Sequence, residues 1–192
     1  MSDRPYADHF STQARAYAGS RPTYPPELTA WLFAQCPGHA TVWDCATGNG
    51  QAALALAEHF DAVIATDASA AQLAQAPAHP RVDYRCATAE ASGLAASSVD
   101  LVTVAQALHW FDLARFYAEV RRVTKPDGLL AVWTYGRLQL DDPALDAPMQ
   151  AFYDTRIAPC WPAERAHIED QYARLPFPFE RLATPAFDMS VS

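Results

Sequence analysis

Positive charge is scarce in this chain. Its 14 lysines and arginines face 22 aspartates and glutamates, giving a formal net charge of −8 and a pI near 5.1. No basic footprint exists for a nucleic-acid backbone or an anionic membrane surface, and neither is expected as a partner. Long apolar runs are missing too. None approaches the roughly 18 residues that a membrane helix needs, and Met1 to Arg4 lead into polar sequence with no signal core. A cytoplasmic protein is expected. The four cysteines, Cys36, Cys45, Cys86 and Cys160, form no C-x-x-C pair and have no histidine at ligand spacing. That argues against a metal or redox centre and for buried free thiols. Proline is thin in the middle of the chain: residues 41–140 hold three of the 15, Pro77, Pro80 and Pro126, and the remaining 92 residues hold twelve. Regular structure is therefore expected in the middle, with caps and loops in the flanks.

What the chain does contain is a run of short apolar segments rich in β-branched residues. Thr41–Asp44, Ala62–Thr66, Val82–Arg85, Val99–Ala105 and Leu129–Thr134 mostly lack polar alternation and read as parallel strands buried on both faces. The stretches between them reach the dozen residues that a parallel crossover requires. Ala53, Leu56, Ala57 and Phe60 share one helical face, as do Leu113, Phe116, Tyr117 and Val120. Ser69 with Gln72 fits a capping box, Asp112 fits an N-cap, and Pro126-Asp127-Gly128 reads as a turn before the fifth strand. Pro26 opens a helix with Leu28, Trp31 and Leu32 on one side; Asp142-Pro143 signals another, and a further helical stretch is expected from about Ala163 to Arg174. These signals predict one α/β domain over residues 1–192, a Rossmann-like, doubly wound, mostly parallel sheet with helices on both faces. Residues 1–38 form an N-terminal cap, 39–136 the core, and 137–192 a C-terminal helical and strand segment.

The stretch Val42-Trp43-Asp44-Cys45-Ala46-Thr47-Gly48-Asn49-Gly50 places an acid and two glycines where a strand hands over to a helix. Ligands in such sheets lie beyond the carboxyl ends of the strands, where the order reverses. If the first three strands wind one way and the fourth returns beside the first, the loops after Asp44 and Ala105 face each other across that crevice. Gly48 and Gly50 allow backbone to approach a ligand, although a tight turn alone explains one glycine. Gly48-Asn49-Gly50-Gln51-Ala52-Ala53 also satisfies the dinucleotide pattern G-x-G-x-x-A. Asp67, 17 residues beyond Gly50, suits the two hydroxyls of an unphosphorylated ribose, which NAD and S-adenosylmethionine share; a helix-start acid before Ser69 is the plain alternative. Asp44 discriminates better: an acid just before the glycines repels a pyrophosphate but suits a ligand carrying an ammonium and a sulfonium.

Together these residues resemble a class I S-adenosylmethionine-dependent methyltransferase, and within that superfamily the chain is similar to the trans-aconitate-type small-molecule group. Val42 to Gly50 matches the first motif, hydrophobic-Asp-x-Gly-x-Gly-x-Gly, with Ala46 in place of the first glycine. The resemblance implies S-adenosylmethionine as cofactor. It places Asp67 on the ribose, Ala68 against adenine, Ala89-Glu90 beside the adenine amino group, Gln106 beside the methionine moiety, and His109-Trp110 on the substrate side. Phe10-Ser11, Tyr17-Ala18 and Arg21-Pro22-Thr23-Tyr24-Pro25 resemble the group's N-terminal cap, whose Tyr and Arg, here Tyr17 and Arg21, close over the cofactor. Packing is the rival reading for Trp110, Phe111, Tyr17 and Tyr24, a surface ion pair for Arg21, and a solvated loop acid for Glu90.

The implied reaction is an in-line displacement on a sulfonium methyl group by a small-molecule nucleophile. A protonated nucleophile would need a base, and His109 is the side chain nominated; it is weighed against a structural histidine. No metal is called for. Arg137 and Arg156 are candidate partners for an acidic acceptor, weighed against a surface role. Phe177-Pro178-Phe179-Glu180 through Phe187-Asp188-Met189 is expected to begin a sixth strand, leaving the C-terminal strand hairpin incomplete and an open sheet edge that invites a homo-oligomer. Two other readings stand beside this one: an NAD-dependent oxidoreductase of Rossmann type, and a non-catalytic cofactor-binding or interaction protein that keeps the fold.

Overall fold

A computed structural model describes residues 23–189. Helix α1 (Pro26–Gln35) opens on two prolines, the first extended and the second at the first helical position, where a missing N–H is harmless. Strand β1 (Thr41–Cys45) leads through the glycine loop to α2 (Gln51–Ala57), then β2 (Ala62–Asp67), the single turn α3 (Ala70–Leu73) and β3 (Val82–Cys86). Strand β4 (Val99–Ala105), a tight turn at Leu108–Trp110, α4 (Leu113–Val123) and β5 (Thr124–Trp133) follow. The C-terminal part holds α5 (Pro143–Phe152), which widens into a further turn at Tyr153–Ile157, and the short α6 (Ala166–Glu169).

The strands form one parallel sheet in the order β3-β2-β1-β4-β5, the expected reversal beside β1. Alternation along β1 sets the two cores. Val42 joins Val63, Ala65 and Leu101 under α1 and α2, whereas Trp43 and Cys45 join Val102, Val104, Phe116 and Val120 under α4. Helices therefore cover both faces. The predicted caps form: Ser69 Oγ accepts the N–H of Gln72 at 3.3 Å, Asp112 accepts that of Arg115 at 3.2 Å, and Asp142 accepts that of Ala144 at 2.9 Å. At the opposite end of the sheet, buried Asp100 receives Lys125 Nζ at 2.7 Å and the N–H of Thr41 at 2.9 Å, tying β4 to the starts of β1 and β5.

Four expectations need correction. The strand runs from Thr124 rather than starting after Gly128; its register against β4 jumps from Val99↔Thr124 to Leu101↔Leu129, so the Pro-Asp-Gly residues bulge instead of ending a separate turn. The helical stretch after Ala163 stops at Glu169, because Gln171 and Tyr172 take left-handed backbone at φ 52° and 63°. Residues 177–189 form no strand. The α4 side chains hold the segment and its approach instead: Tyr117 Oη donates to Pro176 O, just before it, at 2.7 Å and Arg121 to Pro178 O at 3.2 Å, while Phe177 and Phe179 pack edge-on against the Tyr117 ring. Prolines at 176, 178 and 185 remove the donors a strand would need. Finally, Cys36 and Cys45 are buried, but Cys86 and Cys160 are exposed. Among the described residues no helix is long and apolar enough to cross a membrane, and no group of His, Cys, Asp or Glu side chains is placed to hold a metal.

Candidate functional site

At the carboxyl ends of β1 and β4 the backbone turns left-handed four times: at Ala46 (φ 56°), Gly48 (60°), Gly50 (84°) and Gln106 (58°). For the two non-glycines this conformation costs about 1–2 kcal/mol each, and such strain gathers where function holds it in place. Gly50 is favoured by its positive φ and has a close neighbour. A Cβ there would lie 2.3 Å from the Tyr84 hydroxyl, which leans in from β3.

Asp44 sits below the loop with almost no exposed surface. Its two carboxylate oxygens accept the hydroxyls of Thr47 at 2.6 Å and Thr103 at 2.7 Å, the second across the β1–β4 register. Burial is the larger influence and pushes its pKa up to about 6, partly offset by those two hydroxyls. It remains mainly ionised at pH 7. Asp44, Ala46 and Thr47, with Gln51 and Ala52 of α2, Ala105 of β4 and Tyr24, line a small recess of about 20 Å³. Thr47 and Thr103 were missed from sequence. The detectable signal was a hydroxyl inside the otherwise apolar Leu101–Ala105 run, where a buried polar group calls for a partner.

Three of the loop's amides are engaged within the protein. Thr47 N–H donates to Thr66 O at 2.9 Å, Gly48 N–H to Asp67 Oδ2 at 2.8 Å and Gly50 N–H to Thr47 O at 3.0 Å. Asp67 also accepts the N–H of Ser69 at 2.8 Å through its other oxygen. Its carboxylate thus clamps the glycine loop to the start of α3. A loop with its amides so engaged, above a buried carboxylate, is a poor cradle for pyrophosphate and a fitting one for a cation.

The other nominated residues fall as follows. Ala68 is half-buried after β2. Ala89 is buried, and Glu90 accepts the N–H of Asp112 at 3.0 Å, joining the loop after β3 to the start of α4. The Gln106 side chain turns to the end of β5, where it meets Thr134 and Tyr135. His109 is buried, with Nδ1 3.2 Å from the Tyr172 hydroxyl and its ring 4.4 Å from that of Trp110. Burial, then the nearby charges of Arg165 and His167, lower its pKa to about 4, so it is neutral at pH 7. The structure therefore brings Asp44 and Ala46 into the recess and joins Asp67 to Gly48, while His109 and Trp110 do not line that recess. Tyr17 and Arg21 lie outside the described residues, as do Phe10 and Ser11. Arg137 pairs with Asp154 at 2.5 Å and Glu169 at 3.0 Å and lies over the Tyr153 ring, which ties it into the C-terminal helical segment; Arg156 is exposed.

A family profile described as "Methyltransferase domain" matches residues 43–132. A methyltransferase-named protein of Dictyostelium discoideum is 35% identical over 178 residues, which are 91% of this chain and 68% of that protein. An uncharacterized methyltransferase of Mycobacterium tuberculosis is 40% identical over 127 residues, 65% of this chain but 51% of that protein. Among solved structures, one from Anaeromyxobacter dehalogenans, provisionally described as a type II methyltransferase, superposes with a TM-score of 0.80 at 48% identity, covering 86% of this chain and 70% of that one. The chain thus spans about half to seven-tenths of the length of these relatives.

Proposed function

Because this chain belongs to the S-adenosylmethionine-dependent methyltransferase family, we propose that the recess above Asp44 is the seat of the cofactor's methionine end and that the acceptor is a small molecule. The observation that carries this reading is the pairing of a buried Asp44, its two oxygens held by Thr47 and Thr103, with a loop whose Thr47, Gly48 and Gly50 amides are engaged within the protein. S-adenosylmethionine supplies the electrophilic methyl group on its sulfonium when bound. The chain's own part is to hold the cofactor and acceptor in line and to exclude water.

Asp44 faces the cationic end, and Ala46, Gly48 and Gly50 shape the loop around it. Asp67, which ends β2 beside the glycine loop, is read as the ribose ligand; Ala68, Ala89 and Glu90 flank the adenine, and Gln106 borders the methionine. Tyr17 and Arg21 close over the cofactor in the same reading. The recess of about 20 Å³ is far below the ~300–1,000 Å³ of a small-molecule site, so it seats one end of the cofactor rather than the whole of it. Tyr24 rests edge-on against Trp133, with ring centroids 5.6 Å apart.

Within the family, the likeness of Phe10-Ser11, Tyr17-Ala18 and Arg21 to Pro25 to the N-terminal cap of the trans-aconitate-type group supports a small metabolite as acceptor in the cytoplasm, with no nucleic acid or membrane partner. His109 and Trp110 are the residues read as facing it. The outer edge of β5 has no strand partner among the described residues and borders a groove of about 1540 Å³. That supports self-association through the sheet edge; a single monomeric species in sedimentation at high concentration would remove it. The dinucleotide reading loses ground to Asp44, which lies where a pyrophosphate would pass. Thermal-shift assays separate the two: stabilisation by S-adenosylmethionine and S-adenosylhomocysteine but not NAD supports the methyltransferase reading, and the reverse sinks it.

A further inference from the structure

Unpartnered polar atoms gather in one short segment of the C-terminal part. Among the described residues, seven buried side-chain nitrogens and oxygens have no hydrogen-bond partner, and four of them lie within residues 161–170: Trp161 Nε1, Arg165 Nε, His167 Nδ1 and Asp170 Oδ1. Buried polar groups are ordinarily satisfied, so a cluster of exceptions calls for a cause. The segment stands on the side read as facing the acceptor. Its turn at Ala163–Arg165 packs against the turn at Leu108–Trp110 that carries His109, and the charges of Arg165 and His167 act on the His109 ring. Ile168 and Tyr172 join the core beside Leu108, and the Tyr172 hydroxyl lies 3.2 Å from His109 Nδ1.

Within this segment Arg165 is the unclaimed cation. Asp154 and Glu169 are taken by Arg137, and Asp170 is taken by Arg174 through Oδ2. Among the described residues the Arg165 guanidinium forms no ion pair or hydrogen bond. It lies instead over the Trp161 ring, with Cζ 4.7 Å from the centroid. Its Nε is buried, whereas the two Nη atoms, equally unbonded, reach solvent. In a chain with 22 acids against 14 lysines and arginines, a half-buried guanidinium left without a carboxylate is a position held open. A guanidinium and an indole N–H can only donate. Whatever completes them must bring acceptor oxygens, and the fixed positive charge selects an anion.

We propose that Trp161 and Arg165 bind an anionic group of the methyl acceptor, a carboxylate or a phosphate, beside His109. That the anion belongs to the acceptor rests on the methyltransferase reading; that an anion binds there does not. The two arginines nominated from sequence fit this role less well, since Arg137 is already paired twice and Arg156 is exposed.

Nitrogen-15 spectra of the full chain, with and without saturating S-adenosylhomocysteine, read both groups directly through the Trp161 indole N–H and the Arg165 Nε–H, assigned with Trp161→Phe and Arg165→Gln. Titration with succinate and, separately, with inorganic phosphate should shift both signals saturably, and the tighter of the two identifies the anion. Succinamide at matched ionic strength should shift neither. Arg165→Gln should weaken the binding roughly 10-fold or more, read at the Trp161 signal. Arg165→Lys keeps the charge without the planar fork and should recover only part of it. Signals that neither anion moves, that succinamide moves equally, or that respond unchanged in folded Arg165→Gln overturn the proposal. Anion binding by a chain that fails to bind S-adenosylhomocysteine would support the anion site while removing the methyltransferase reading.

Discussion

Strands β1 and β5 lie in the same sheet, one strand apart, yet they solve opposite problems. The interior strand β1 pairs on both sides, and four of its five residues are buried, including an acid. Among the described residues strand β5 pairs only with β4, and its apolar residues Leu129 to Trp133 are half-buried along an open groove. In the interior, a polar side chain must be partnered or kept for use. At the edge, apolar residues can await cover without unfolding anything. That contrast predicts which substitutions act through the fold and which through the ligand.

The largest effect should come from Trp43→Ala, since Trp43 is fully buried and large-to-small changes of that kind cost about 3–5 kcal/mol. Leu130→Ala on β5 should cost about 1 kcal/mol, measured as the shift of the urea unfolding midpoint. Equal losses would break the comparison.

Asp44→Asn keeps the shape and removes the charge. Relief from burying an ionised carboxylate should leave the thermal midpoint unchanged or higher, while affinity for S-adenosylmethionine falls roughly 30-fold, about 2 kcal/mol, for the lost charge-assisted contact. Affinity of the unaltered chain should rise with pH through about 6 and level off above, because the cation selects the carboxylate form.

Two acids sharpen the point with opposite signs. The raised pKa of Asp44 means the folded chain holds a proton that the unfolded chain has released, so this group lowers stability as pH rises from about 4 to about 6. Glu119, held at about 2 by Arg122 and by Ser92, does the reverse: its contribution is present above the ordinary carboxylate range and is lost as pH falls towards 2. Glu119→Gln should cost about 1 kcal/mol at pH 7, a difference that shrinks in acid unfolding curves at lower pH. A difference that grows instead would contradict the assignment.

The smallest effect is Ala46→Gly. Releasing a left-handed alanine gains about 1 kcal/mol, and the more flexible unfolded chain returns part of it. A net gain of about 0.5 kcal/mol by chemical denaturation is expected, and a loss would mean the alanine is not strained.

The same contrast explains what could be read from sequence. The strands and the caps at Ser69, Asp112 and Asp142 follow from short-range pattern, because buried strands must be continuously apolar and helix starts need a side-chain acceptor; the reversal at β1 entered only as a condition of the doubly wound sheet. Asp44 and the glycines were legible for a related reason, as an acid and two bare backbones inside an apolar context. The Thr103–Asp44 contact joins residues 59 apart and depends on strand register. Tyr84 against Gly50 likewise comes from β3, far along the chain. The left-handed pair Gln171-Tyr172 carries no glycine or asparagine to announce it, and the segment 177–189 is held by α4 side chains rather than by a ladder. Edges and tertiary ties are where local pattern has least to say.

The central claim is that the loop after β1, with Asp44 beneath it, holds S-adenosylmethionine. Calorimetric titration of the chain and of Asp44→Asn with S-adenosylmethionine and NAD at pH 7.5 tests it most directly. Binding of the first ligand alone, weakened in a variant that melts no lower, is the predicted result. Equal binding by both proteins, or binding of NAD in its place, would contradict the account.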